Sequence, residues 1–266
     1  MQAMANMALR AARQAGQIMT RAMDRVDLLQ VEEKARNDLV SNIDREAEQA
    51  IREVLLKAYP EHGILGEEYG ETNPEAEYVW VVDPLDGTTN YLQGIPHFCI
   101  SIACMRGRQI EHAVIVDPVL NEEFVASRGS GAQLNGKRIR VSRTEKLRDA
   151  VVGTGIPPKA IARHLEPYMA MLHDFVGTCR AIRRSGSAAL DLAYVAAGRL
   201  DGFWELALSP WDIAAGTLLV REAGGFVGDL SGGDAFMQHG NIVAANPKCF
   251  KAMVTRMRPN LTPELA

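Results

Sequence analysis

The sequence predicts an α+β protein built in two halves, the first of helices on an antiparallel sheet and the second of alternating helices and strands. Three observations predict it. Two early segments repeat apolar residues at helical spacing, short β-rich runs fill residues 78 to 126, and helix alternates with strand from about residue 150 onward. At 266 residues and 47% hydrophobic content, the chain has apolar material for a sizeable core. The expected halves are 1–145 and 146–266, meeting within residues 141–149 and forming one compact unit or two that share an interface.

The elements follow in order. Met4, Met7, Ala8, Ala11, Ala15, Ile18, Met19 and Ala22 recur at three- and four-residue intervals, the stripe of an amphipathic helix over 4–23. Ile43, Ala47, Ala50, Ile51, Val54, Leu55 and Ala58 repeat the pattern over 41–58, with Ser41 and Asp44 placed as a capping box and Pro60 as the stop. Runs at 78–82, 99–105, 111–116 and 123–126 read as strands, followed by an Asn135-Gly136 turn. In the second half the expected order is a strand at 150–154, a helix at 160–176, a strand near Arg180 and a helix at 187–197 closed by Gly198. Then come a strand at 201–205, a helix at 212–223 closed by Gly224, a strand at 241–245 and a helix opened by Asn246-Pro247.

Acids outnumber bases, 33 to 29, so no general electrostatic pull draws the chain to nucleic acid or an anionic membrane. Arg180, Arg183 and Arg184 are the local exception, readable as a solvated strand edge or as a surface for a partner or phosphate. Cys99, Cys104, Cys179 and Cys249 lack the paired spacing of a zinc site and read as reduced core residues. The histidines, His97 among them, are spread without ligand spacing and read as packing residues. The first thirty residues lack the pattern of a secretory signal, and no stretch is apolar long enough to cross a bilayer, so a cytoplasmic address with no membrane partner is expected.

The informative stretch is Trp80-Val81-Val82-Asp83-Pro84-Leu85-Asp86-Gly87-Thr88-Thr89-Asn90. An apolar strand delivers Asp83, Pro84 forces a turn, and a second carboxylate, a permissive glycine and two hydroxyls follow. Such a turn can aim Asp83, the Leu85 carbonyl and Asp86 at one point, an all-oxygen set suited to magnesium. The N–H groups of Gly87 and Thr88 can receive phosphate oxygens where a helical turn begins there. An isolated Asp-Gly is ordinarily just a turn. Here it has company: Gly66-Glu67-Glu68 after an apolar Ile64-Leu65, and Trp211-Asp212 opening an apolar helix, where Asp212 is equally readable as a plain N-cap.

In the order Lys34, Asp38-Leu39-Val40-Ser41, Asp44, Gly66-Glu67-Glu68, Asp83 to Asn90, and Trp211-Asp212-Ile213-Ala214-Ala215-Gly216, the chain resembles the inositol monophosphatase family over nearly its whole length, most closely the bacterial SuhB-like branch. The resemblance implies a layered α-β-α-β-α sandwich of the sugar-phosphatase type. It further implies that Glu67, Asp83 and the Leu85 carbonyl hold one Mg2+, that Asp83, Asp86 and Asp212 hold a second, and that a third, weaker ion rests on Glu67 and water. Thr88 with Asp44 matches the pair that orients the attacking water, with Glu67 beside it, and Gly87 with Thr88 matches the phosphate cradle. Gly186, Ser187, Ala188 and Glu205 match contacts to a cyclitol, with Asp86 and Asp212 also facing substrate. Lys34 matches a mobile loop over the metals. Ser41 and Ser187 stand where the family often has Thr, which bears on fine substrate preference.

The expected function is a Mg2+-dependent phosphomonoesterase that hydrolyses myo-inositol monophosphate or a similar small sugar or cyclitol phosphate by direct attack of metal-activated water, as a lithium-sensitive homodimer. Ionised carboxylates are needed, so activity should fall in acid. A covalent aspartyl route of the haloacid-dehalogenase type requires two acids separated by one residue, whereas two residues separate Asp83 from Asp86. Two alternatives remain: a SuhB-like transcription antitermination factor that binds RNA polymerase and Nus factors with catalysis secondary, or a related sugar bisphosphatase, 3′-phosphonucleotidase or histidinol phosphatase.

Overall fold

A computed structural model describes residues 2–23, 31–35, 38–156 and 158–265; for residues 31–35, 38–41, 158, 159, 161 and 162 only the backbone is described. Helices α1 (Ala3–Ala22) and α2 (Asn42–Ala58) match the two periodic segments. Between them β1 (Val31–Ala35) and β2 (Asp38–Ser41) pair antiparallel, with a register break between Glu33 and Ala35. This is a correction for Lys34, which was expected in a loop. Its backbone lies in β1, at that break.

The large sheet comprises β3 (Gly63–Gly66), β4 (Gly70–Thr72), β5 (Tyr78–Asp86), β6 (Cys99–Arg106), β7 (Gln109–Asp117), β8 (Glu122–Ser127), β9 (Gly131–Leu134) and β10 (Lys137–Arg138). Its order is β10-β9-β8-β7-β6-β5-β3-β4. Asn135 and Gly136 take positive φ angles of 49° and 76° in the β9–β10 turn, which is where an Asn-Gly pair is favoured. The first half is not purely antiparallel, because β3 and β5 run parallel, with Gly66 beside Val82. Short helix α3 (Thr88–Leu92) follows β5.

The second sheet contains β11 (Val151–Thr154), β12 (Ala181–Arg183), β13 (Gly202–Glu205), β14 (Phe226–Gly228) and β15 (Ile242–Ala245), in the order β12-β11-β13-β15-β14. Strands β11, β12 and β13 are parallel, and β15 runs against β13 and β14. The helices of this half are α4 (Pro158–Val176), α5 (Ala188–Ala196), α6 (Pro210–Glu222), α7 (Phe236–His239) and α8 (Pro247–Met257).

Three buried clusters stack these elements into the layered sandwich. Alanines and Met19 of α1 with Ile43, Ile51 and Leu55 of α2 pack on one face of the large sheet, where Trp80 and Val82 point. Val81 points the other way, into a middle core shared by α5, α6 and the inner face of the second sheet, including Phe203. Trp204, one residue on, faces the outer core with Tyr168 and Phe175 of α4 and Met253 of α8. Side chains alternate across a strand, so a strand covered on both faces must read as an unbroken apolar run, as Trp80-Val81-Val82 does. Among the described residues no helix is long and apolar enough to cross a membrane.

Candidate active site

Strand β5 carries the first acids. Its register with β6 breaks between Asp83, opposite Ser101, and Asp86, opposite Cys99, so Pro84 and Leu85 bulge against the single residue Ile100. Pro84 has no N–H to contribute to the ladder there. Asp83, 1% exposed, turns its carboxylate back to accept the Leu85 N–H at 3.0 Å.

Parallel pairing with β3 brings Glu67 alongside, and the Glu67 N–H donates to the Val82 carbonyl at 3.2 Å. Glu48 sets the chain beyond it. Wholly buried on α2, Glu48 accepts the Glu68 N–H at 2.7 Å and the Tyr69 N–H at 3.3 Å, and pairs with Arg52 at 3.2 Å. Gly66 is needed for this contact, because a Cβ there would stand 2.0 Å from a Glu48 carboxylate oxygen.

Asp86 and Asp212 come from opposite halves of the chain and meet at the beginnings of the two middle helices. The Asp86 carboxylate accepts the Ser187 hydroxyl at 2.6 Å and the Ala189 N–H at 2.7 Å at the start of α5, where Ser187 is the N-cap and Ala188 the first helical residue. Asp212 lies in the first turn of α6 and accepts the Ser209 N–H at 2.7 Å. The N-cap is therefore Ser209, not Asp212, and the helix starts at Pro210.

The electrostatics follow from crowding acids out of water. Burial, then the charges of Glu67, Asp86 and Asp212, and then a hydrogen bond with Glu67, hold the Asp83 carboxyl well above the ordinary carboxylate range. Asp86 is pushed up to about 6 by burial, against the hydrogen bonds from Ser187 and Ala189. Among the described residues no three His, Cys, Asp or Glu side chains already stand closed around a metal-sized point. The donors are nonetheless all oxygen: four carboxylates and the Leu85 carbonyl. Such an acid-rich set is stabilised by either a proton or a hard divalent cation, so the chemistry of the residues present fits magnesium.

Gly87 takes φ 100°, and a Cβ there would crowd the His97 and Gly186 carbonyls at 3.1 and 3.3 Å. Helix α3 begins at the next residue, and the Thr88 hydroxyl donates toward Asp44 at 3.0 Å and lies 3.2 Å from the Leu85 carbonyl. Asn90 ties this corner to the other half, its amide donating to the carbonyls of His97 and Ser185 at 2.7 and 2.9 Å. Gly186, at φ 94°, lies flush against Asn90. Glu205, 8% exposed on β13, is held well above its ordinary pKa by burial and then by Asp212, Asp191 and Asp86. Its carboxylate packs on Gly155, whose Cβ would stand 1.9 Å away.

The expected site residues thus fall into one region, except Lys34, whose side chain lies outside the description, and two of the arginines. Exposed Arg180 pairs with Asp149 at 3.3 Å, and Arg183 sits on β12, an edge strand. Arg184 is exposed at the rim, where its charge opposes the rise at Glu205 and Asp191. His97 stacks edge-on with Tyr194 at 5.8 Å, and the cysteines are free, with Cys99, Cys104 and Cys249 buried. Sequence reading missed Glu48, Asn90 and Asp191. Glu48 had a signal, since it lies four residues after Asp44 beside the apolar stripe of α2. Asp191 also had one, as an acid within the apolar helix Ala188–Ala196.

The profile of the inositol monophosphatase family matches residues 1–262. The chain belongs to the inositol monophosphatase family. Among its relatives in that family is the Nus factor SuhB of Pseudomonas aeruginosa, 54% identical over all of this chain and 99% of the relative. The solved extragenic suppressor protein suhB of Bartonella henselae superposes with a TM-score of 0.94 at 44% identity, covering 98% of this chain and 100% of that one. An IMPase from Thermotoga maritima superposes with a TM-score of 0.87 at 36% identity over 96% of each chain. The inositol monophosphatase family membership and the layered fold therefore agree.

Proposed function

We propose that the chain is a Mg2+-dependent phosphomonoesterase for myo-inositol monophosphate or a similar small sugar or cyclitol phosphate. One observation carries the reading: Glu67 and Asp83 share a hydrogen bond in the field of Asp86 and Asp212, beside a Thr88 hydroxyl held by Asp44. A phosphate monoester repels anionic nucleophiles and leaves as a poor alkoxide, and its uncatalysed hydrolysis is extremely slow. Glu67, Asp83, the Leu85 carbonyl, Asp86 and Asp212 would hold two to three Mg2+ ions, which when bound would supply the positive charge needed to activate water and to stabilise the leaving oxygen.

The remaining roles belong to the chain. The hydrogen bond from Thr88 to Asp44 leaves the hydroxyl oxygen free to accept from a water, which orients that water for in-line attack. The first N–H groups of α3, after Gly87, have no side-chain cap and would receive phosphate oxygens. Gly186, Ser187, Ala188 and Glu205 would contact sugar hydroxyls, and the absence of a Cβ at Gly186 lets its backbone lie against the Asn90 amide. Direct water attack needs no covalent aspartyl group, in keeping with Asp83 turned back on the Leu85 N–H.

The test is phosphate release from a panel of small phosphate esters, bisphosphates, nucleotide 3′-phosphates and histidinol phosphate included. Release should require magnesium, be inhibited by lithium, and collapse in Asp83→Asn and Asp212→Asn protein that folds normally. Wild-type turnover by either variant, or turnover in chelator, overturns the proposal. A second reading has its own observation, the Nus factor name of the P. aeruginosa relative at 54% identity. On that reading the chain also joins a transcription antitermination complex with RNA polymerase and Nus factors. Asp83→Asn protein should then still bind the complex, while Arg184→Ala protein should lose binding and keep phosphate release.

A further inference from the structure

A cavity of about 410 Å³ opens at the far end of the large sheet from the acids, among the β6–β7 turn, the chain after β8, the second half of α6, and α7. Its volume is that of a small-ligand pocket. Its Met105 wall lies about 20 Å from the Asp86 end of β6, taking about 3.3 Å per residue from Cys99 to Met105, and its Thr217 wall lies about 7.5 Å along α6 from Asp212, taking about 1.5 Å per residue. The lining shares no residue with the candidate active site, although α6 carries Asp212 in its first turn and lines the cavity from Thr217 onward.

The lining has two characters. Met105, Ile110, Leu218, Phe236 and Met237 supply apolar wall, while Arg108, Arg128 and Arg221 bring three guanidinium groups to it. Two of these are held in place. Arg128 donates to the Ile110 carbonyl at 2.8 Å and pairs with Glu111 at 3.6 Å, and Arg221 lies 5.4 Å over the Phe236 ring. Arg108, exposed in the two-residue turn, makes no hydrogen bond or ion pair among the described residues.

The two lining acids and Glu111 offset part of this charge, which leaves Arg108 as the lining guanidinium with no carboxylate partner among the described residues. Glu222 is occupied, accepting the N–H groups of Gly129 and Gly131 at 2.7 Å each. Asp234 is 92% exposed and reaches Arg221 only at 3.5 Å. Finally, Thr217 lines the cavity, is wholly buried, and has a hydroxyl with no hydrogen-bond partner among the described residues. A buried hydroxyl left unpaired is costly, and a ligand oxygen would relieve it.

We propose that this cavity is a second binding site, taking a small organic anion whose charged head meets Arg108, Arg128 and Arg221, whose body lies on Met105 and Phe236, and one of whose oxygens pairs with Thr217. Phosphonate, phosphate and carboxylate heads share this chemistry.

The probe is phenylphosphonate, which has an aromatic body and an anionic head but no ester to hydrolyse. Full-length protein carrying 13C-methyl methionine is titrated with it in magnesium, and Met105 and Met237 are assigned by Met105→Leu and Met237→Leu. Both methyl signals should move saturably. Arg108→Ala and Thr217→Val should each weaken the apparent affinity about tenfold, the effect of one hydrogen bond to a charged group. Asp83→Asn protein should respond as wild type does. No saturable movement up to about 10 mM probe, which is weaker than any useful affinity, overturns the proposal. So does an unchanged affinity in Arg108→Ala and Thr217→Val protein, or a response lost in Asp83→Asn protein, which would assign the probe to the acid cluster.

Discussion

Replacing Asp191 by Asn tests the electrostatics of the middle layer with a single change of charge at nearly constant shape. Asp191 is 1% exposed on α5, and one of its carboxylate oxygens has no hydrogen-bond partner among the described residues. Burial, with the charge of Asp86 adding to it, raises the carboxyl to about 7, against a hydrogen bond from Ser185 and the charge of Arg184. A raised folded-state pKa means that the native protein keeps a proton which the unfolded chain gives up at lower pH. Stability is therefore lost as pH rises from the ordinary carboxylate value of 3.8 toward about 7, and that interval corresponds to about 4 kcal/mol. The amide introduced by Asp191→Asn does not titrate. Urea unfolding of both proteins in chelator should give similar stabilities near pH 4 and a variant more stable by about 4 kcal/mol near pH 8. Burial lowers the pKa of His62, His97 and His112, which adds stability as pH rises toward the ordinary histidine value. Those contributions are common to both proteins and cancel in the difference. A difference that stays within about 1 kcal/mol across this range refutes the reasoning.

Glu48→Ala should destabilise by about 3 to 5 kcal/mol in urea unfolding, because it strands the Glu68 and Tyr69 N–H groups and removes a buried partner of Arg52; it should also raise the magnesium requirement of phosphate release by loosening the chain at Glu67. Gly66→Ala should cost about 1 to 3 kcal/mol through collision with Glu48, and a variant as stable as wild type would contradict the packing described. Ser187→Ala should lose about 1 kcal/mol of helix capping and raise the Asp86 pKa further, moving the acid limb of magnesium-dependent phosphate release to higher pH. Magnesium should raise the thermal midpoint more at pH 8 than at pH 5, because protons compete for the same carboxylates; equal shifts at both would count against metal binding there.

The sequence by itself determined what depends on neighbours along the chain. Helical spacing placed α1 and α2 within a residue or so, apolar runs located β5 to β8, and Asn135-Gly136 and Asn246-Pro247 marked a turn and a helix start. The Asp83-Pro84-Leu85-Asp86-Gly87-Thr88 segment was legible for the same reason, since a proline, a glycine and two acids constrain a turn locally.

Only the tertiary structure decided who meets whom. That β3 runs parallel to β5, setting Glu67 beside Asp83, depends on a pairing between strands too short and apolar to specify their partners by periodicity. The buried positions of Glu48 and Asp191 and the division of Arg180, Arg183 and Arg184 between an ion pair, a sheet edge and the site rim likewise depend on which surface covers each helix and strand. Local sequence sets the φ and ψ preferences of a segment, but burial and field at a side chain are sums over residues far away in the chain. Those sums exist only once the five layers have closed.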